Sequence, residues 1–248
     1  MRTISFTAVA LALAGAPAAA EHLSFAAGSF TALNGSGVSG KVSMRYDAIQ
    51  DELLVRLRAT GLTPSLAHPA HIHGEPTIPG FDAMTPTLAV DEDGDGFIDL
   101  AEGADTYGGI QLSFTDDTAS GFPEADANGV LSYTMVFEGI MAMGGADMSS
   151  VFAFAPPGPG ETYANPMMDL AEVVLHGIFL PEGMAGANPL GRNPFGEANG
   201  TPGYNIALPI ASAELVMTDS LVPVPVPAAG LMLLAGLGGL GFVRRRRG

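Results

Sequence analysis

Glycine and proline punctuate residues 21–218 so closely that the chain reads as short strands between turns, with little room for a long helix. Where a run is longer, it alternates. Residues 52–59, E-L-L-V-R-L-R-A, put Leu53, Val55 and Leu57 on one face and Leu54, Arg56 and Arg58 on the other. That two-residue period marks a half-buried strand. The same reading predicts strands at His22–Leu33, Gly40–Tyr46, Gly109–Phe114, Val130–Glu138, Ala171–Leu180 and Asn205–Thr218. Only Asp147–Phe154 and Asn165–Asp169 offer a helical turn or two, and residues 181–203 form a long Gly/Pro-rich loop. The expected fold is all-β, a sandwich or barrel with long inserted loops.

Both ends carry targeting patterns. Arg2, an apolar run from Ile4 to Ala14 and the small residues Ala18, Ala19 and Ala20 have the layout of a secretory signal peptide, with cleavage expected after Ala20. At the other end, V-P-V-P-V-P-A precedes an apolar stretch from Ala228 to Val243, closed by Arg244, Arg245, Arg246 and Arg247. An apolar segment followed by arginines predicts a C-terminal helix that holds the body outside the cytoplasm, with the arginines inside. The motif Val224, Pro225, Val226, Pro227 and Ala228, followed by apolar residues and arginines, resembles the VPLPA variant of the PEP-CTERM sorting signals. The resemblance implies recognition by an exosortase, an envelope of the Gram-negative type and an organism that makes exopolysaccharide. The expected organisation is a signal peptide at 1–20, a domain at 21–218 and a sorting tail at 219–248. The body would be anchored transiently in the inner membrane, then displayed at the surface or released.

All 26 acidic residues lie between Ala20 and the V-P-V-P-V-P-A motif (Asp219 last among them), whereas five of the ten basic residues (Arg2 and the tail arginines) do not. The body therefore keeps five cations against twenty-six anions, a charge of about −21. Such a body repels nucleic acid and anionic lipid and attracts divalent cations. The chain has no cysteine, which excludes a disulfide frame and thiolate zinc sites.

Residues 91–102, D-E-D-G-D-G-F-I-D-L-A-E, meet every position of an EF-hand calcium loop. Asp91, Asp93 and Asp95 stand at positions one, three and five, and Gly96 at the sharp turn. Phe97 offers its carbonyl at seven, Ile98 an inward hydrophobic pin at eight, Asp99 stands at nine and Glu102 at twelve. Pro79, Gly80 and Pro86 precede the loop and argue against an entering helix. The reading is an isolated calcium loop with a structural role, inserted in a β domain.

Three of the five histidines lie together in H-P-A-H-I-H-G, as His68, His71 and His73, and His176 lies in A-E-V-V-L-H-G. On a strand, His71 and His73 share a face, so both imidazoles can meet one ion, with His176 arriving from a neighbouring strand. G-L-T-P…H-x-x-H-I-H-G resembles the copper-ligand strand of Cu/Zn superoxide dismutases, and V-V-L-H the strand bearing their last copper ligand. The resemblance spans roughly residues 22–217. It implies a Greek-key sandwich with His71, His73 and His176 as copper ligands and His68 as a structural histidine. CHRD domains carry a similar A-H-I-H-G stretch. No histidine lies between His73 and His176, so the bridging histidine and the zinc ligands of the dismutases have no counterpart. Tyr204–Asn205 stand where their guiding arginine is expected, and Arg192 is out of register.

These readings lead to an exported surface or matrix protein with a calcium-stabilised sandwich, binding or structural rather than catalytic, with exopolysaccharide or surface components as partners. The alternatives are a copper-dependent redox protein and a periplasmic copper carrier. Met141, Met143 and Met148 are candidate soft ligands for cuprous ion, although methionines at such positions also pack cores. Glu75, beside the histidine run, is the one carboxylate singled out as a candidate acid, although its position also suits an ordinary loop charge.

Overall fold

The computed structural model describes residues 23–75, 78, 81–92, 94–115, 121–138, 171–180 and 203–221. Ala20, Asp93, the three methionines, Arg192, the proposed helical turns at 147–154 and 165–169 and the tail from Val224 to Arg247 lie outside these residues. Among the described residues, no helix is long and apolar enough to cross a membrane.

Ten strands form two antiparallel five-stranded sheets. The first sheet runs in the order β10 (Val216–Thr218), β1 (Leu23–Ser29), β3 (Ser39–Asp47), β4 (Glu52–Thr60), β7 (Val130–Glu138). The second runs β2 (Thr31–Ala32), β9 (Gly203–Glu214), β8 (Glu172–Leu180), β5 (Ala70–Gly74), β6 (Gly109–Ser113). The alternation in β4 decides its orientation. Leu53, Val55, Leu57 and Ala59 are essentially unexposed and face inward, while Arg56 is exposed on the other side. Val42, Met44 and Tyr46 do the same for β3, and Ile72, Val173 and Leu175 supply the facing layer from the second sheet. Phe114 stacks on Tyr133 within this core, and the Tyr133 hydroxyl donates to the Thr115 carbonyl at 2.7 Å.

The residues that alternate with that second layer are the polar ones. His71 and His73 on β5, Glu172 and His176 on β8 and Ser212 on β9 point to the face of the second sheet away from the shared core. All five are nonetheless buried, and the β5–β6 connection covers His73 and Glu172 with Tyr107, Gly108 and Thr85. This connection holds a short 3-10 turn at Leu88–Val90, the acidic loop and one helix, α1 (Leu100–Tyr107). Asn34, in a left-handed conformation with φ of 53°, anchors it. Its amide donates to the carbonyls of Ile98 and Pro209, both at 2.9 Å, and its oxygen accepts from Ile98 N at 2.7 Å. Ile98 is 2% exposed, so the residue expected to point inward does so.

Helix α1 corrects the sequence reading, which placed no helix here. Asp99 caps it and Glu102 returns the bond to the Asp99 amide, forming a capping box. The D-x-x-E spacing that announces such a start was fully accounted for by the calcium pattern, and Gly103 weakens the helical signal.

Candidate metal centre

His71 and His73 stand two residues apart on β5, and His176 reaches them from β8, paired directly beside β5. The ring centroids are 5.6 Å apart for His71 and His73, 5.1 Å for His71 and His176, and 6.0 Å for His73 and His176. One nitrogen from each ring lies within 4.8 Å of the other two. Three donors placed trigonally around an ion at 2.0–2.1 Å are about 3.5 Å apart, inside that limit.

The surroundings decide which nitrogens face the centre. His73 Nδ1 lies 2.9 Å from the Gly108 carbonyl and His176 Nδ1 2.7 Å from the Ala207 carbonyl. A carbonyl only accepts, so both Nδ1 atoms carry the proton and both Nε2 atoms keep a lone pair. Those Nε2 atoms, and Nδ1 of His71, are buried and make no hydrogen bond. An unpartnered polar atom in such a place costs about 1–3 kcal/mol, and here three converge. The residues fit a metal ion: neutral imidazole nitrogens close to one another, with the second ring nitrogens of His73 and His176 oriented by carbonyls as metal-bound histidines usually are.

Electrostatics keep the lone pairs available. Burial pushes His71 down to about 2, helped by repulsion from His176 and His73. Burial pushes His176 down to about 3, with His73 adding to it and the Ala207 bond opposing it. His73 falls to about 4 by burial, partly offset by its bond to Gly108. All three are therefore neutral at physiological pH.

Two connections shape the site. From the β5–β6 connection the Tyr107 ring packs edge-on against His73 at 4.5 Å between centroids, and from the β6–β7 connection Phe122 approaches His71 at 5.7 Å. Gly108 follows, with φ of 80°, and a Cβ there would come within 2.6 Å of the Gly74 backbone. Only glycine lets its carbonyl reach His73. Neither Tyr107 nor Gly108 was singled out from sequence, since nothing local marks a residue as a neighbour of His73.

His68 stands apart from the group. Its Nδ1 is 3.0 Å from the His176 carbonyl and its Nε2 3.0 Å from the Thr63 carbonyl, which leaves neither nitrogen for an ion. Tyr204 packs against its ring and donates to the Ala67 carbonyl.

The acidic loop is tightly wound. Asp91 Oδ1 accepts from the amides of Gly94 and Asp95, and Oδ2 from Gly96. Asp95 accepts from Phe97 N at 2.6 Å, and Asp99 from Ala101 and Glu102. Glu102 Oε1 accepts from Glu92 N at 2.8 Å, which draws position twelve back over the loop's start, and Oε2 accepts from Asp99 N. Among the described residues, the carboxylates of this loop do not form a group of donor atoms as close as the three histidines do.

Behind His73, Glu172 is fully buried, with Oε1 held by the hydroxyls of Thr85 and Ser212. Burial raises its pKa despite those bonds. No protein-family model matches the chain, and no curated protein matches its sequence.

Proposed function

We propose that the chain is an exported β-sandwich protein that holds a single copper ion in the pocket of His71, His73 and His176, with binding rather than rapid turnover as its work. The observation that carries this reading is the convergence of three unpartnered, buried imidazole nitrogens. Imidazole ligands suit copper, zinc, iron and nickel alike, and the likeness of A-H-I-H-G and V-V-L-H to the dismutase strands favours copper. The crossings from β4 to β5, β6 to β7 and β7 to β8 between sheets also suit a Greek-key sandwich of that kind. Copper would supply one-electron chemistry. The protein's own contribution is to hold three nitrogens fixed and to restrict access, since His71 is only 7% exposed. The absence of a second histidine group from the sequence, and a body charge near −21, disfavour fast capture of an anionic substrate.

Export, processing of the VPLPA-like tail by an exosortase and display at the surface or in the exopolysaccharide matrix belong to the same reading. So does calcium binding by Asp91, Asp93, Asp95, Phe97, Asp99 and Glu102. The closure of Glu102 onto Glu92, which brings the loop's ends together, and the anchoring of Ile98 to Asn34, which fixes position eight inward, favour it. The ion would then brace the connection that covers the histidines.

The test is to load the purified protein with copper, remove the excess and measure bound metals by mass spectrometry, followed by superoxide decay. One copper per chain with slow decay supports the reading. Fast decay would make it a redox enzyme, and no retained copper would overturn it. Calcium binding is tested separately: added calcium should raise the melting temperature of the wild type but not of Glu102→Gln.

A further inference from the structure

Every lysine and arginine among the described residues lies on one face. Lys41 and Arg45 on β3 and Arg56 and Arg58 on β4 all point to the outer side of the first sheet. Lys41 stands directly opposite Arg58, and Ser43 opposite Arg56. Arg56 and Arg58 are two residues apart, about 7 Å along the strand. Ser39, Ser132 and Thr134 are exposed around them, so hydroxyl groups flank the cations.

The carboxylates on this face are gathered elsewhere. Asp47, Glu52 and Glu138 align in one row at its far end, and Glu52 is paired with Arg45. Asp126 is near enough to Arg58 to feel its charge, but its Oδ1 is held by the amides of Asn128 and Val130. Among the described residues, no carboxylate pairs with Lys41, Arg56 or Arg58.

The geometry points to this face as a docking surface for an extended acidic polysaccharide, whose carboxylates would bridge Lys41, Arg56 and Arg58. The overall negative charge of the chain does not forbid this. Charges are screened beyond about 8 Å at physiological salt. The two sheets alone stand about 10 Å apart, and the acidic loop lies beyond the second of them. The local cations therefore outweigh the distant anions. A flat face suits a polymer better than a small ion, because several weak charge-assisted bonds act together. A single-stranded nucleic acid needs successive aromatic platforms, and among the described residues this face carries one aromatic, Phe25. A second copy of the chain is the competing occupant, and sedimentation distinguishes it. The inference goes beyond the copper reading and does not depend on it.

The experiment measures binding of the purified protein to polygalacturonate, single-stranded DNA and neutral dextran at low salt, alongside Arg56→Ser/Arg58→Ser and Arg56→Lys/Arg58→Lys. Sedimentation without polymer and melting of each variant accompany it. The wild type should prefer polygalacturonate and lose it as salt rises. The serine pair should bind about thirtyfold more weakly with unchanged melting, from a loss of about five- to sixfold per cation removed. The lysine pair, which keeps the charge, should retain most of the binding. Equal binding by the serine pair, loss by the lysine pair as large as by the serine pair, or DNA bound as tightly as polygalacturonate would overturn the proposal. So would self-association in sedimentation that the serine pair abolishes, which would assign the face to a second copy.

Discussion

Lowering the pH from 7.5 to 5 should destabilise the metal-free protein by about 6 kcal/mol through its three central histidines. The sign follows from which state takes up protons. In the unfolded chain each histidine titrates near 6.5. In the folded protein burial holds His71, His73 and His176 at about 2, 4 and 3. Between those limits the unfolded state binds more protons, so stability falls as the pH falls. The contribution is complete above 6.5, declines below it and levels off for each residue near its folded value. At pH 5 each histidine costs about 2 kcal/mol, from about 1.4 kcal/mol per pH unit over roughly 1.5 units. Glu172 acts in the opposite direction, because its raised pKa favours proton uptake by the folded state. Urea unfolding at both pH values, on the wild type and on His73→Leu, separates these contributions. The variant should lose about 2 kcal/mol less than the wild type between the two pH values. A variant with the wild-type pH dependence would refute the claim that the buried ring of His73 is neutral and excludes protons.

Other substitutions test the supports around the site. Asn34→Ala removes three bonds that tie Ile98 and Pro209, and should cost about 1–3 kcal/mol while speeding amide exchange at Ile98. Gly108→Ala puts a Cβ against the Gly74 carbonyl at positive φ. It should cost about 1–3 kcal/mol and weaken metal affinity about tenfold or more by moving the His73 acceptor, read by unfolding and metal titration. Leu57→Ala, in the middle of β4 and 1% exposed, should cost about 2–5 kcal/mol in urea unfolding without changing metal affinity.

Most strands are legible because their signal is local, but the expected single strands His22–Leu33 and Asn205–Thr218 each break in two and divide between the sheets, as β1 and β2 and as β9 and β10. In β4 the alternation of Leu53, Val55 and Leu57 with Arg56 and Arg58 is the fold's own pattern written in the chain. The pairing of His71 and His73 on one strand face followed from the same period. Helix α1 was missed because its cap, Asp99 with Glu102, doubles as calcium positions nine and twelve, and its first turns include Gly103. The roles of Tyr107, Gly108 and Asn34 depend on contacts between segments far apart in sequence, which no local period encodes. The same holds for the nitrogens: that His73 and His176 present Nε2 follows from carbonyls at Gly108 and Ala207, not from spacing. The cationic face of the first sheet was half visible in β4, but Lys41 and Arg45 joined it only when β3 paired in register.

Pulsed electron paramagnetic resonance of the cupric-loaded protein reports directly on the atoms bound to the ion. Coupling to imidazole nitrogens from His71, His73 and His176, at one copper per chain and altered by His176→Ala, is the result this account requires. A spectrum without imidazole coupling, or one unchanged when all three histidines are replaced, would contradict it.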